Sequence, residues 1–169
     1  TMEAIRAEVG SVPIEVVASD FNGNLDLVRQ ILDARPAVFN HNIETVLRLY
    51  ATVRPEAVYE RSLQILQFAA SHPGNGFEIK SGLMLGLGET DEEVLQVLRD
   101  LRAHGVTIVT IGQYLRPSPR HAPVQRYPTP EQFRMFREEG MKMGFKAVFS
   151  HPFVRSSYHA RETLAGSVL

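Results

Sequence analysis

The chain alternates short apolar runs rich in β-branched residues with longer segments of helical periodicity, which limits it to folds built from βα units. Predicted strands lie at residues 14–19, 37–40, 77–87, 106–115 and 146–149, and helical segments precede the first strand and separate the others. Successive strands joined by helices are almost always parallel. The pattern therefore predicts either a small open parallel sheet or part of a (β/α) barrel.

Polar residues at the strand ends help to choose between these two folds. Asp20, Asn40 to Asn42, Glu89 and Gln113-Tyr114 fall at or just past the C-terminal ends of predicted strands. Barrel enzymes assemble their active sites from these ends, on one face of the barrel. The placement favours a barrel segment over an open sheet.

Two helices have sequence signals for their first residues. Thr90 with Glu93, and Thr129 with Gln132, each form a predicted capping box. The loop 116–128 before the second box is too long for a simple connection, so it is either functional or a solvated surface loop. If the loop is functional, its arginines would bind a carboxylate, a phosphate or an acidic partner protein.

The charge and cysteine content narrow the function. Lys plus Arg total 18 against 19 for Asp plus Glu, which gives no general attraction to nucleic acid or to an anionic membrane. The absence of cysteine excludes disulfides, thiolate metal sites and a cysteine nucleophile within this chain. No apolar run is long enough to span a membrane and the start is not typical of a signal peptide, so a cytoplasmic protein is expected.

Three glycines, Gly82, Gly86 and Gly88, mark the third predicted strand and the turn after it. Glycine weakens a strand that only has to pack, whereas a ligand that approaches the backbone closely requires it. The segment predicts either a nucleotide cleft or a glycine-rich turn before a capped helix. It is not a phosphate-binding loop, because no Lys-Ser or Lys-Thr pair follows the last glycine.

Five polar residues follow the second predicted strand: Asn40, His41, Asn42, Glu44 and Thr45. The start of a helix over 43–50 would explain two of them, with Asn42 as the N-cap and Glu44 in the first turn. It would leave Asn40 and His41 unexplained. We therefore expect this stretch to bind a polar ligand.

Adjacent serines, Ser156 and Ser157, precede Tyr158 and His159 near the C-terminus. They suggest a hydroxyl ligand or a nucleophile with a nearby base. A Ser-His hydrolase would also need an orienting acid and an oxyanion pocket, and the sequence shows neither. A polar tail segment is the alternative.

These stretches together resemble the lipoyl synthase family of radical S-adenosylmethionine (SAM) enzymes. The resemblance rests on FNHNIET at 39–45, KSGLMLGLGET at 80–90, TIGQYL at 110–115 and VRSSYHA at 154–160. The glycine-rich run occurs across radical SAM enzymes, whereas the last element is highly specific. The resemblance implies an α/β fold, a partial TIM-type (β/α)6 barrel truncated at its N-terminal side, over residues 1–164, with a frayed tail at 165–169.

The resemblance also implies a reaction, cofactors and partners. In the family, two sulfur atoms are inserted at carbons 6 and 8 of an octanoyl chain attached to a lysine of a lipoyl carrier domain or of a glycine cleavage H-type protein. The family uses SAM and two [4Fe–4S] clusters, one of which is consumed as the sulfur donor. A ferredoxin or flavodoxin is the implied electron donor, and neither nucleic acid nor a membrane is implied.

Site residues follow from the same resemblance. His41 and Arg155 are the implied substrate-binding residues, and Ser157 is the implied ligand of the auxiliary cluster, with Ser156 as the alternative. A hydroxyl is a weaker ligand than a thiolate, which suits a cluster that must be dismantled. The implied SAM pocket consists of Asn40, Asn42, Glu44, Gly82, Met84, Gly86, Glu89, Gln113 and Tyr114.

One departure from the family decides the activity expected of this chain. The family has two three-cysteine motifs in its N-terminal half, and this chain contains no cysteine. We therefore expect no catalytic residue, no bound cluster and no chemistry in the chain alone. Unpaired sheet edges predict marginal stability or self-association. The alternatives are a non-catalytic module that docks on a carrier protein and a degenerate radical SAM relative.

Overall fold

The computed structural model describes residues 1–74 and 76–156, which form five parallel strands flanked by helices. The strands are β1 (Glu15–Val17), β2 (Val38–Asn40), β3 (Glu78–Leu85), β4 (Ile108–Gln113) and β5 (Ala147–Ser150). The helices are α1 (Met2–Val9), α2 (Leu25–Asp33), α3 (Tyr50–Val53), α4 (Tyr59–Ala70), α5 (Asp91–Ala103) and α6 (Pro130–Lys142), with short 3-10 turns at Phe21–Gly23 and Leu47–Leu49.

The sheet follows the order of the chain, β1-β2-β3-β4-β5, and every pair of neighbours is parallel. Within the described residues, β1 and β5 are the two edges, so the sheet is an open arc. This is the partial TIM-type barrel that the βα pattern predicts. Its loop-side edge gathers the C-terminal ends of all five strands, where barrels place their sites.

The two faces of the arc have different neighbours. Val109 and Ile111 in β4 belong to the hydrophobic core that also contains Leu98 of α5 and Phe136 of α6. Because successive strand residues point to opposite faces, Thr110 and its alternate neighbours lie on the inner face. The helices therefore cover the outer face, and the inner face is free to build a site.

Both predicted capping boxes are present. Thr90 Oγ1 accepts a hydrogen bond from the Glu93 N–H at 3.2 Å, and the Thr90 N–H donates to Glu93 Oε2 at 2.8 Å. Thr129 and Gln132 make the same reciprocal pair at 3.3 and 3.0 Å. Each box satisfies backbone donors that a helix start leaves free.

The helix predicted at 43–50 is wrong. After β2 the chain runs alongside β3 and pairs with it at Glu44: the Glu44 N–H donates to the Gly82 carbonyl, and the Glu44 carbonyl accepts from the Met84 N–H, both at 2.9 Å. The first helical turn begins only at Leu47–Leu49. Asn42 is therefore not an N-cap, because the backbone around it is paired with a strand. No helix in residues 1–74 and 76–156 has the length and apolar character needed to span a membrane.

Candidate functional site

Two cavities lie at the loop-side ends of the strands, and Asn42 and Glu44 line both of them. The first, about 450 Å³, follows β1 and β2; besides these two residues, its lining includes Val17, Ala18, Asp20, His41, Arg54 and Glu56. The second, about 230 Å³, follows β3 and β4, and includes Gly82, Met84, Thr110, Gly112, Gln113, Leu115, Arg155 and Ser156. The segment after β2 is thus the wall that the two cavities share.

Asn42 contributes a hydrogen-bond acceptor that no protein group uses. Its Oδ1 is buried without a hydrogen-bond partner. A Cβ on Gly82 would lie 3.0 Å from this oxygen and 2.5 Å from Thr110 Oγ1. Gly82 is therefore required by the close approach of these two side chains. Since a buried acceptor without a partner is costly, a ligand that donates a hydrogen bond to Asn42 would remove that cost.

Glu44 places a half-buried carboxyl group beside Asn42. Its φ of 66° is uncommon for a residue other than glycine, and the two hydrogen bonds to β3 hold it there. Burial raises the pKa of Glu44 above its usual range, although a hydrogen bond from Asn42 and the charge of Arg54 act against this rise. The group is suited to accept hydrogen bonds from ligand hydroxyl or amino groups.

Arg54 supplies positive charge to the first cavity. One guanidinium nitrogen, Nη1, donates to the Ile43 carbonyl and to the Tyr50 hydroxyl, both at 3.2 Å. The guanidinium carbon lies 5.4 Å from the centre of the Tyr50 ring. Arg54 was not predictable from the sequence, because it follows a short helix and no local pattern distinguishes it from a surface arginine.

His41 lines the first cavity, but both of its ring nitrogens bind protein groups. Nδ1 lies 2.9 Å from the Ala18 carbonyl and must donate to it, which leaves Nε2 to accept from the Ser62 hydroxyl at 3.0 Å. Burial, above all, lowers the pKa of His41, which favours this neutral form. Both ring nitrogens thus bind protein groups in this structure, and the substrate-binding role that the resemblance implies for His41 stays a prediction.

Asn40 lines neither cavity and joins a buried ion pair on the inner face of the sheet. Its Nδ2 donates to Glu15 Oε1 at 3.0 Å. The ammonium group of Lys80, which is fully buried, lies 3.0 and 3.2 Å from the two oxygens of the same carboxylate. Asn40 Oδ1 is buried without a hydrogen-bond partner, and the SAM contact implied for Asn40 stays a prediction.

Glu89 and Gly86 also line neither cavity, and together they shape the turn after β3. The Glu89 carboxylate accepts hydrogen bonds from the N–H groups of Gly86 and Leu87, both at 2.8 Å. Gly86 has a φ of 104°, which favours glycine. Both residues organise the backbone of this turn.

Tyr114 is the remaining member of the predicted pocket. Its hydroxyl donates a hydrogen bond to the Ala122 carbonyl, and its ring packs in the core.

The C-terminal segment lies against β4 and reaches the second cavity. The Gln113 N–H donates to the Pro152 carbonyl at 3.2 Å, and a Cβ on Gly112 would lie only 2.4 Å from the Val154 carbonyl oxygen. This contact brings Arg155 and Ser156 to the cavity lining. Ser157, the first choice for a cluster ligand, lies outside the described residues.

The cavities fit SAM better than they fit an iron–sulfur cluster. The unpaired Asn42 oxygen and the Glu44 carboxyl provide acceptors of the kind that a nucleoside with hydroxyl and amino groups requires. Most ligands of an iron–sulfur cluster are cysteine thiolates, and the chain has no cysteine. Within residues 1–74 and 76–156, no three His, Asp or Glu side chains form a group that could hold a metal ion.

Comparison with solved structures defines the class of fold. Methylornithine synthase superposes with a TM-score of 0.64 over 85% of this chain and 41% of its own chain, at 15% sequence identity. At this identity the similarity concerns the fold alone, and it is consistent with a partial TIM-type fold for this sheet. No protein-family model matches the sequence.

Curated relatives define the family. The lipoyl synthase of Rubrobacter xylanophilus is 53% identical over 162 residues, and that of Syntrophotalea carbinolica is 57% identical over 161 residues. These matches cover 96% and 94% of the chain. The chain belongs to the lipoyl synthase family. It spans about half the length of these relatives (50% and 52%) and matches a C-terminal portion of them.

Proposed function

We propose that this chain forms the adenosine-binding side of the SAM site in a lipoyl synthase. The complete enzyme would insert two sulfur atoms at carbons 6 and 8 of a protein-bound octanoyl-lysine. The observation that carries the proposal is the shared wall of the two cavities, where Asn42 offers a buried acceptor and Glu44 a carboxyl group. A ligand that spans both cavities must pass these two residues.

The side chains around the second cavity support a division of roles. Gly82, Met84 and Gln113 would line the adenosine side, while Asn42 and Glu44 would accept hydrogen bonds from ribose hydroxyls. The first cavity, with Arg54, would then receive the remainder of SAM or the octanoyl-lysine substrate. These residues would bind SAM or the substrate and orient it.

Bound SAM would supply the chemistry that removes hydrogen from carbons 6 and 8. The cluster ligands cannot be thiolates of this chain, because it contains no cysteine. We propose that the part of the enzyme corresponding to the other half of the relatives provides them, and that the 169-residue chain alone is inactive. The complete protein would act as a cytoplasmic sulfurtransferase.

The C-terminal segment would serve the auxiliary cluster and the substrate. Arg155 and Ser156 line the second cavity, which supports a site there for this segment. We propose Ser157 as the cluster ligand, with Ser156 as the alternative. The partners would be an octanoylated lipoyl carrier domain or an H-type protein, and a ferredoxin or flavodoxin.

Calorimetric titration with S-adenosylhomocysteine, a stable analogue of SAM, tests the binding site directly. We expect Asn42→Ala to weaken binding about tenfold, as expected for the loss of one hydrogen bond in a partly buried site. Gln64→Ala, at an exposed position on α4, is the matched control and should bind like the unmodified chain. Equal binding by Asn42→Ala would contradict the assignment of the shared wall.

Reconstitution tests the complete reaction. The chain would be combined, without oxygen, with the N-terminal half of the Syntrophotalea carbinolica enzyme and an octanoylated carrier domain. Mass spectrometry should show lipoyl formation only with both halves present. Stable capture of the carrier domain by the chain, without any binding of S-adenosylhomocysteine, would favour the docking-module alternative.

A further inference from the structure

Residues 116–121 form a turn at the rim of the second cavity, and we call them the rim turn. Leu115, which directly precedes the turn, lines that cavity and is 54% exposed, so it lies where the cavity opens to solvent. Ala122, which directly follows the turn, accepts a hydrogen bond from the Tyr114 hydroxyl at 2.9 Å. Both ends of the turn are therefore held at the loop-side end of β4, beside this opening.

Hydrogen bonds within the rim turn fix its shape. Arg116 Nε donates to the His121 carbonyl at 2.9 Å, and Arg116 Nη2 donates to the Pro119 carbonyl. The His121 N–H donates to the Ser118 carbonyl at 3.0 Å. Pro117 and Pro119 restrict the backbone further, because the ring of proline fixes φ. A partner would therefore meet a preformed surface and lose less conformational entropy on binding.

Arg120 is the arginine of the rim turn that remains available to a partner. Its side chain is exposed, and its guanidinium group forms no hydrogen bond or ion pair with any other part of the chain that the structure describes. Arg116, by contrast, uses its guanidinium group to close the turn. The rim turn thus presents a free guanidinium group next to the cavity, and such a group binds carboxylates in a forked geometry.

The positive charge of this loop has no acidic counterpart within it. Residues 116–130 contain three arginines and no Asp or Glu. Arg126 is already paired with Glu89 and Asp91, each at 3.1 Å, which leaves the charges of Arg116 and Arg120. The net charge of the whole chain is -1. A local charge of this size favours an acidic protein surface over nucleic acid, which requires a larger basic patch.

Two exposed apolar side chains flank the same opening. Leu115 belongs to the cavity lining, and Phe153, which is 74% exposed, directly precedes two residues of that lining, Val154 and Arg155. Aromatic residues and arginine are enriched in protein–protein interfaces, whereas lysine and glutamate are depleted there. The rim therefore has the composition of a surface that docks a protein.

We propose that the rim turn, together with Leu115 and Phe153, docks an acidic surface of the protein that carries the octanoyl-lysine. This inference rests on the proposed function, because a substrate side chain on a folded carrier brings the carrier's surface against the rim of the site. Arg120 would pair with a carboxylate of the carrier. Arg120 lines neither cavity, so its substitution leaves the proposed SAM site unchanged.

Surface plasmon resonance with an octanoylated lipoyl carrier domain, at about 50 and about 300 mM salt, tests the charge of the turn. At low salt, Arg120→Glu should weaken binding about tenfold, mainly through slower association, and the neutral Arg120→Gln about threefold. Both losses should shrink at high salt, because exposed charges are screened. Arg137→Glu is the matched control: it makes the same change in net charge at an exposed position of α6, and it should bind like the unmodified chain.

Phe153→Ser tests the apolar part of the surface. It should weaken binding of the carrier domain about threefold at both salt concentrations, because the burial of apolar surface is not screened by salt. A loss that disappeared at high salt would contradict the apolar contact proposed for Phe153.

The outcomes separate this inference from the proposed function. Equal losses in Arg120→Glu and Arg137→Glu would overturn it, because the net charge alone would then explain binding. A chain that binds S-adenosylhomocysteine but not the carrier domain would also overturn it and leave the proposed SAM site standing. Carrier binding that depends on Arg120, without any binding of S-adenosylhomocysteine, would support the docking surface and contradict the SAM site.

A membrane is the other acidic surface that the arginines of the turn could meet. Co-sedimentation with phosphatidylglycerol vesicles tests it, and we expect no binding by the unmodified chain. Binding to these vesicles that is lost in Arg120→Glu and kept in Arg137→Glu would assign the rim turn to a membrane and overturn the proposal.

Discussion

The two faces of the sheet have opposite chemistry although the same strands form both. The outer face is apolar and lies under the helices, with Ile79, Leu83, Val109, Ile111 and Val148 in the core. The inner face carries Glu15, Asn40, Lys80, Thr110 and two of the glycines, Gly82 and Gly112. Alternation along each strand therefore separates the residues that stabilise the fold from those that build the site.

The polar groups of the inner face fall into two sets, one below the cavities and one beside them. Below the cavities, the Lys80 ammonium group and Asn40 Nδ2 both bind the Glu15 carboxylate, while Asn40 Oδ1 is buried without a hydrogen-bond partner. Beside the cavities, Asn42 keeps an acceptor without a partner and Glu44 keeps a carboxyl group under a raised pKa. The charged groups of the lower part are thus paired within the chain, while Asn42 and Glu44 of the upper part line the cavities, where a ligand can reach them.

The largest loss of stability is expected from substitution of the buried charged residues on the inner face. Lys80→Met should lower the free energy of unfolding by about 4 kcal/mol, because it leaves the Glu15 carboxylate without its cation. Urea denaturation followed by circular dichroism measures the change. Lys80→Met combined with Glu15→Gln removes the uncompensated charge and should recover most of the loss. A cost below about 1 kcal/mol for the single change would mean that water reaches this pair.

Substitutions on the outer face should change the free energy of unfolding only through the loss of packing. Leu98→Ala removes a fully buried side chain from α5 and should cost about 3 kcal/mol in urea denaturation. Leu47→Ala, at a leucine that is 56% exposed, is the control and should change stability by less than about 0.5 kcal/mol. Similar losses in the two variants would show that α5 does not cover a dry core.

A smaller effect is expected where the C-terminal segment lies against β4. Gly112→Ala would put a Cβ 2.4 Å from the Val154 carbonyl oxygen, so the segment must shift, at a cost of about 2 kcal/mol. The backbone of Gly112 is not in the left-handed region, so the loss traces to this contact. Faster proteolysis after Arg155 would report the shift. Gly76→Ala meets no atom closer than 4.0 Å and should leave cleavage unchanged.

The parts of the fold that depend on local sequence were predictable. Five strands, their order along the chain and both capping boxes follow from periodicity and from residues three positions apart. The pairing of the stretch after β2 with β3 was not predictable, because Glu44 bonds to Gly82 and Met84, about forty positions away. Without those partners, an Asn followed by a Glu indicates the start of a helix.

The site was predictable in location but not in the role of each residue. Asn42, Glu44, Gly82, Met84 and Gln113 do line a cavity. The pattern of residues could not show that Glu89 binds the backbone of its own turn, because a carboxylate that binds a ligand and one that binds two N–H groups look alike in sequence. Thr110 and Arg54 were missed, since only the assembled sheet brings them to the cavities.

The smallest expected change in stability is that of Glu44→Gln. Its dependence on pH distinguishes this carboxyl group of the site from a surface carboxylate. Burial raises the pKa of Glu44, so the folded state favours the protonated carboxyl. Its contribution to stability is complete below the ordinary value of 4.5 and is lost as pH rises through the raised pKa. Glu44→Gln should therefore raise stability at pH 7 by on the order of 0.5 kcal/mol, and thermal melts should show the gain vanishing below pH 4.5.

Glu93 on α5 gives the opposite sign and serves as the control for this pH dependence. A hydrogen bond from Arg48 lowers the pKa of Glu93 to about 2, so its ionised form stabilises the fold above the ordinary value of 4.5. Glu93→Gln should lower the melting temperature at pH 7, and the loss should fade as pH falls toward 2. If Glu44→Gln also lowered the melting temperature at pH 7, the Glu44 carboxylate would already be satisfied within the chain, and only Asn42 would remain in the shared wall to bind a ligand.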